Sequence, residues 1–157
     1  MPQHVRTLLT VALLLFVAAS VGTLVVRTIQ ERSQPADGGE SSPTADGLVV
    51  YYFHGKVRCE NCDNVQAYAA EAVREGFADE LRRGTIQWQV VDFDQPQNAH
   101  FLADFRLVGT SVVLAEICGG KPVRSRLLAE VWTLVHEKGR MVEYVQAEVR
   151  SFREGRP

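Results

Sequence analysis

Cys59-Glu60-Asn61-Cys62 is the stretch of this chain whose residue types and spacing could do covalent chemistry. Two cysteines three positions apart can close into a disulfide and reopen, passing two electrons to or from another dithiol by thiolate attack on sulfur. The motif follows the loop His54-Gly55-Lys56-Val57-Arg58 and precedes a run with helical spacing, so it falls at a strand-to-helix junction. Unpaired backbone N–H groups in the first turn of a helix, together with its macrodipole, favour an anion there and lower a cysteine's pKa. Cys59 is therefore the predicted nucleophile. Cys62 lies one turn further along the same face, is expected to be more buried, and suits the resolving role. Glu60 opposes a neighbouring thiolate whereas Lys56 and Arg58 favour one, so the net shift at Cys59 has no sign from sequence.

Other readings of these cysteines stay open at this stage. The pair could be a static disulfide closing a very small loop. Structural zinc usually takes four ligands, often as two Cys-x-x-Cys halves, and one half is present. A copper-type binding or chaperone site using Cys59, Cys62 and His54 is the non-enzymatic alternative, because thiolate and imidazole suit soft metals. Cys118 is expected near a turn or sheet edge roughly 20 Å from the motif, where an odd cysteine could pair between chains.

The elements that must position the motif can be read from periodicity. Leu48-Val-Val-Tyr-Tyr-Phe53 is a nearly continuous β-branched and aromatic run, the pattern of a strand covered on both faces. From Cys62, apolar residues recur at Val65, Ala69, Ala72, Val73 and Phe77 among polar ones, predicting a helix kinked near Gly76 and continuing to Leu81. Ile86, Trp88 and Val90 alternate with Gln87 and Gln89 in a second strand; a short helix follows over Ala99–Phe105. Ser111–Ile117 is a third strand, Gly119-Gly120 a hairpin turn, and Val123, Ser125 and Leu127 an edge strand. Val131, Leu134, Val135, Val142, Val145, Val149 and Phe152 predict a final amphipathic helix, interrupted or bent at Gly139. Trp88 and Trp132 fit core or sheet-face positions.

That β-α-β-α-β-β-α order, with Cys-x-x-Cys at the first strand-to-helix junction, resembles the minimal thioredoxin fold over nearly all of Leu48–Phe152. The fold class is then α/β: a mixed four-stranded sheet with helices on both faces. Tyr51-Tyr-Phe-His-Gly55, the Cys-x-x-Cys, the Asp-x-Asp-x-Pro turn at Asp92–Pro96 and Val131-Trp132 are also similar to small thioredoxin-like proteins named as nitrophenyl-compound nitroreductase subunits. The resemblance implies dithiol–disulfide exchange with a protein dithiol or disulfide partner, with no cofactor and no metal. It also carries departures. Arg58 stands where thioredoxins have Trp, and Glu60-Asn61 replaces Gly-Pro. Phe53 occupies the spacing of the family's buried Asp, which leaves His54 as a candidate proton acceptor or simply a loop residue; its unperturbed pKa of about 6.5 suits proton transfer. Ser111, in Gly109-Thr110-Ser111-Val112, aligns with the family's cis-proline. A cis bond there would cost roughly 2.5–4 kcal/mol, so a trans bond and a differently shaped substrate groove at Thr110 and Ser111 are expected, with room for a metal.

Ahead of this domain, Leu8–Val26 is a 19-residue stretch without a charge. As a helix it would span roughly 28 Å, close to the hydrocarbon thickness of a bilayer. Residues 1–26 are read as a single-pass anchor or, in the competing reading, a signal peptide after Arg6. Residues 27–47, rich in Ser, Gly and Pro, are read as a flexible linker, and 48–157 as the folded domain. The domain is expected on the extracytoplasmic, periplasmic side. Of 157 residues, 46% are hydrophobic and 23% charged; 17 basic against 19 acidic residues give a net charge of −2, spread along the chain, and no nucleic-acid footprint follows.

Overall fold

A computed structural model of the chain describes residues 46–155. The proposed anchor at residues 8–26 and nearly all of the linker at 27–47 lie outside the described residues. Among the described residues no helix is long and apolar enough to cross a membrane.

Four strands form one sheet: β1 (Gly47–His54), β2 (Ile86–Asp92), β3 (Ser111–Cys118) and β4 (Lys121–Leu127), in the spatial order β2-β1-β3-β4. β1 runs parallel to β2 and antiparallel to β3, and β3 runs antiparallel to β4. β1 is paired on both edges and has helices packed on both faces, and every residue from Leu48 to Phe53 is buried. This burial explains the absence of polar alternation in its sequence.

The alternating side chains of β1 divide the core in two. Leu48, Val50 and Tyr52 point to the face covered by α1 (Glu60–Gly76) and α4 (Lys138–Arg153). Val49, Tyr51 and Phe53 point to the other face, where α3 (His100–Asp104) brings Phe101, with Leu107 beyond it. The mixed sheet with helices on both faces is thus the expected thioredoxin-like arrangement. Gly119 and Gly120, at φ 58° and 75°, form the turn between β3 and β4; two successive positive φ values match the twist of a two-residue hairpin and favour glycine. Asp46 Oδ1 accepts from the Gly119 N–H at 2.8 Å and Gly47 opens β1, so both residues are tied to the sheet.

Two helix expectations are corrected. The kinked helix is two helices, α1 and α2 (Ala78–Arg83), separated at Phe77, whose side chain is buried. Gly76 ends α1 where α4 crosses closely, since a Cβ there would meet the Gln146 side chain at 2.8–3.0 Å. The final apolar run is interrupted just before Gly139 rather than bent at it. A 3-10 turn at Ala129–Trp132 and a loop precede it, and α4 begins at Lys138 with Gly139 in its first turn. Val131, Leu134 and Val135 are still buried, so their spacing reflected core contact without an α-helix. Glycine is tolerated at a helix start because the first N–H groups have no intrahelical acceptor.

Candidate active site

Because β1 is flanked by a parallel and an antiparallel neighbour, its C-terminal end gathers three segments. Phe53 pairs with Ser111 and His54 with Asp92, so the loops after β1 and β2 and before β3 meet at one edge. The loop leaving β1 is stitched to the turn after β2: the Lys56 N–H donates to Asp94 Oδ2 at 2.8 Å. Gly55 is buried in that joint, and a Cβ on it would lie 2.8 Å from Asp94 Oδ2 and 3.0 Å from the Phe93 ring. Gly55→Ala is therefore expected to destabilise the domain by about 1–3 kcal/mol, read from chemical denaturation, because a ring and a bonded carboxylate must shift.

Cys59 is the N-cap of α1, with extended backbone (φ −140°, ψ 158°), and its Sγ accepts from the Cys62 N–H at 3.1 Å. Capping by sulfur supplies the interaction foreseen from sequence: a first-turn amide aimed at the thiol position. Cys59 and Cys62 are joined in a disulfide with their Cα atoms 5.0 Å apart. The two sulfurs are not equivalent. Cys59 is exposed, whereas Cys62 is 7% exposed.

Tyr52 secures the buried half of the pair. Its side chain points from β1 toward α1, and its hydroxyl donates to the Cys62 carbonyl at 2.7 Å. Arg58 braces the exposed side: Nε and Nη2 donate to Asp63 Oδ1 at 3.0 and 2.6 Å, and Nη2 donates to Gln66 Oε1 at 2.5 Å. Its guanidinium also lies 5.9 Å from the Tyr52 ring centroid. Asp94, Tyr52 and the Arg58–Asp63 contact were missed in the sequence. Strand alternation could have put Tyr52 on the α1 side, but the other two contacts join loop to turn and loop to helix, where no periodicity operates.

Burial raises both Tyr51 and Tyr52 from 10.0 to about 12, with Arg58 pulling Tyr52 partly back. A folded-state pKa above the unfolded value means that stability is fully present below pH 10 and is lost as pH rises from about 10 toward 12. Denaturation midpoints followed across that window should fall for the parent. Tyr52→Phe should show a shallower fall, and should cost about 0.5–1.5 kcal/mol at neutral pH for the lost hydrogen bond.

The other predicted site residues are placed as follows. His54 is half-buried, with Nδ1 3.0 Å from the Gly55 carbonyl and its ring 5.9 Å from that of Tyr52. Burial pushes the Asp92 carboxyl up, but hydrogen bonds from Gln95 and the Asp94 N–H, with the charges of His54 and Lys56, bring it below its ordinary value. Among the described residues, no group of three His, Cys, Asp or Glu side chains could hold a metal ion. The Cys59–Cys62–His54 copper set is thus not assembled. Ser111 is 7% exposed and its hydroxyl donates to the Gly109 carbonyl at 2.9 Å, so it closes its own loop. Thr110 is half-buried beside it, and no peptide bond among the described residues is cis. Phe53 is fully buried in an aromatic cluster on the far face. Cys118 is a free, exposed cysteine at the opposite end of β3 from Ser111. Trp88 lies on β2 and packs against the core, while Trp132 lies in the 3-10 turn and is 39% exposed, a correction to its expected core or sheet-face position.

No family model matches the chain, and no curated protein matches it. Among solved structures, chloroplastic thioredoxin z is similar at 16% identity, with a TM-score of 0.37 over 64% of this chain and 85% of that one. A thioredoxin from Thermus thermophilus is similar at 19% identity, with a TM-score of 0.33 over 58% of this chain and 72% of that one. A protein described as a malarial protein is similar at 16% identity, with a TM-score of 0.34 over 52% of this chain and 80% of that one. At these identities and scores the likenesses carry no argument of their own, and the thioredoxin-like fold of this chain rests on its own strand order and helix placement.

Proposed function

We propose that the domain is a thiol–disulfide oxidoreductase in which Cys59 attacks and Cys62 resolves. The observation that carries this reading is the asymmetry of the pair: an exposed sulfur capping a helix and facing a first-turn N–H, beside a buried sulfur one turn along. In the reducing direction, the Cys59 thiolate attacks one sulfur of a partner disulfide. That bond breaks, and the partner's other sulfur leaves as a thiolate and takes a proton from water. Cys62 then loses its proton to water and attacks Cys59 Sγ, closing the Cys59–Cys62 bond and expelling the partner's second sulfur. Two electrons have passed to the partner. The reverse sequence oxidises a partner dithiol, and the relative potentials choose the direction.

The uncharged stretch at residues 8–26, followed by the Ser-, Gly- and Pro-rich stretch, supports a domain tethered to a membrane, and its place behind a single N-terminal segment supports the extracytoplasmic side. The likeness to nitroreductase subunit proteins comes from short sequence matches and adds no chemistry to the exchange reaction. The test is equilibration of the full chain, in detergent, with mixtures of reduced and oxidised glutathione, the Cys59–Cys62 state being read by alkylation and mass. Reversible conversion between dithiol and disulfide is expected. A pair that stays oxidised across all mixtures would identify a static disulfide and remove the enzymatic reading.

A further inference from the structure

The Arg58–Asp63 ion pair calls for an explanation other than stability. Its side chains are 36% and 58% exposed, and exposed pairs contribute at most about 1 kcal/mol. Its position is more informative. Arg58 immediately precedes the capping cysteine, and Asp63, whose N–H donates to the Cys59 carbonyl at 3.0 Å, sits in the first turn of the helix that Cys59 caps, so the ion pair joins the loop to the helix entrance that carries the nucleophile. The guanidinium is held on that side by three hydrogen bonds and by the Tyr52 ring, whose hydroxyl fixes Cys62.

We propose that Asp63 cancels the Arg58 charge beside Cys59 and so sets the thiolate equilibrium of the nucleophile. This inference rests on Cys59 being the attacking sulfur. Each member of the pair acts through the local field, as a positioning and tuning residue rather than a catalytic one. Removing the carboxylate leaves one uncompensated positive charge next to the thiol and favours the thiolate; removing the guanidinium leaves Asp63 and Glu60 and disfavours it. Other charged or titratable groups on the segments meeting here are Tyr52 and His54 on β1, Lys56 in the loop, Glu60 on α1, Asp92 at the end of β2, Asp94 in the turn after it, and Arg106 before β3. All of them are unchanged between the two variants, so the comparison isolates the pair.

The measurement is the pH dependence of Cys59 alkylation in the full chain with Cys62 and Cys118 replaced by serine, which leaves one thiol to titrate. Asp63→Asn should raise the thiolate-to-thiol ratio at fixed pH about threefold and Arg58→Gln should lower it about threefold, half a pKa unit in each direction. The double variant should return close to the parent, and the gap between the single variants should narrow in roughly 1 M salt. A structural role alone would move both variants in the same direction or move neither, and either result overturns the proposal. If Arg58→Gln does not fold, Arg58→Lys keeps the charge but not the fork, and a parental thiolate ratio in it is the expected result. Because alkylation needs no exchange partner, failure of this proposal is separate from failure of the glutathione equilibration, which bears on the enzymatic reading alone.

Discussion

Cys62→Ser should accumulate mixed disulfides through Cys59, whereas Cys59→Ser should accumulate almost none. The expectation follows from the unequal environments of the two sulfurs. With Cys62 gone, the exposed Cys59 can still attack a partner disulfide, but nothing on the chain can expel the partner, so the adduct persists. With Cys59 gone, the remaining thiol is 7% exposed and sits past the helix start, where access is poor and burial disfavours the thiolate. Capture by Cys59→Ser should be slower by about one to two orders of magnitude at neutral pH. Non-reducing electrophoresis with Cys118 replaced by serine reads the result without interference from that exposed thiol. Equal capture by the two variants would contradict the proposed roles, and the trapped species would report the partner.

The largest effect on stability is expected at Phe53, immediately before the loop that carries the motif. Its side chain is fully buried, stacked 5.1 Å from Tyr51, and 5.3 and 5.5 Å from Phe101 and Phe105. Truncation to alanine removes one ring from a four-ring cluster and leaves a cavity between the sheet and the short helix α3. Phe53→Ala should cost about 3–5 kcal/mol, a large part of the roughly 5–15 kcal/mol that stabilises a domain. α3 has five residues and little helical stability of its own, so the loss should be felt there first. The exposed Val123→Ala on β4 serves as the control and should stay within about 0.5 kcal/mol. Denaturant midpoints with an unchanged m-value would check both.

Much of the site could be read before any coordinates. The apolar run at Leu48–Phe53 identified the central strand because only a strand buried on both faces lacks alternation. Helical spacing after Cys62 put the motif at a helix entrance, and the capping geometry of Cys59 agrees. The spacing argument overreached at Val131–Val135, because a 3-10 turn and a loop can present apolar side chains to a core at the same intervals as a helix. His54, which the sequence offered as a proton acceptor, a metal ligand or simply a loop residue, has its Nδ1 beside the Gly55 carbonyl and its ring beside that of Tyr52.

The sequence by itself determined the strands, the helix entrance and the spacing of the two cysteines, because these depend on local propensity and on periods of two and 3.6 residues. Which thiol is exposed, which hydroxyl holds the buried one, which carboxylate ties the loop and which charge is cancelled were decided by the tertiary structure. Those partners lie on different elements, and only folding sets the distance between them, on which both burial and Coulomb interaction depend.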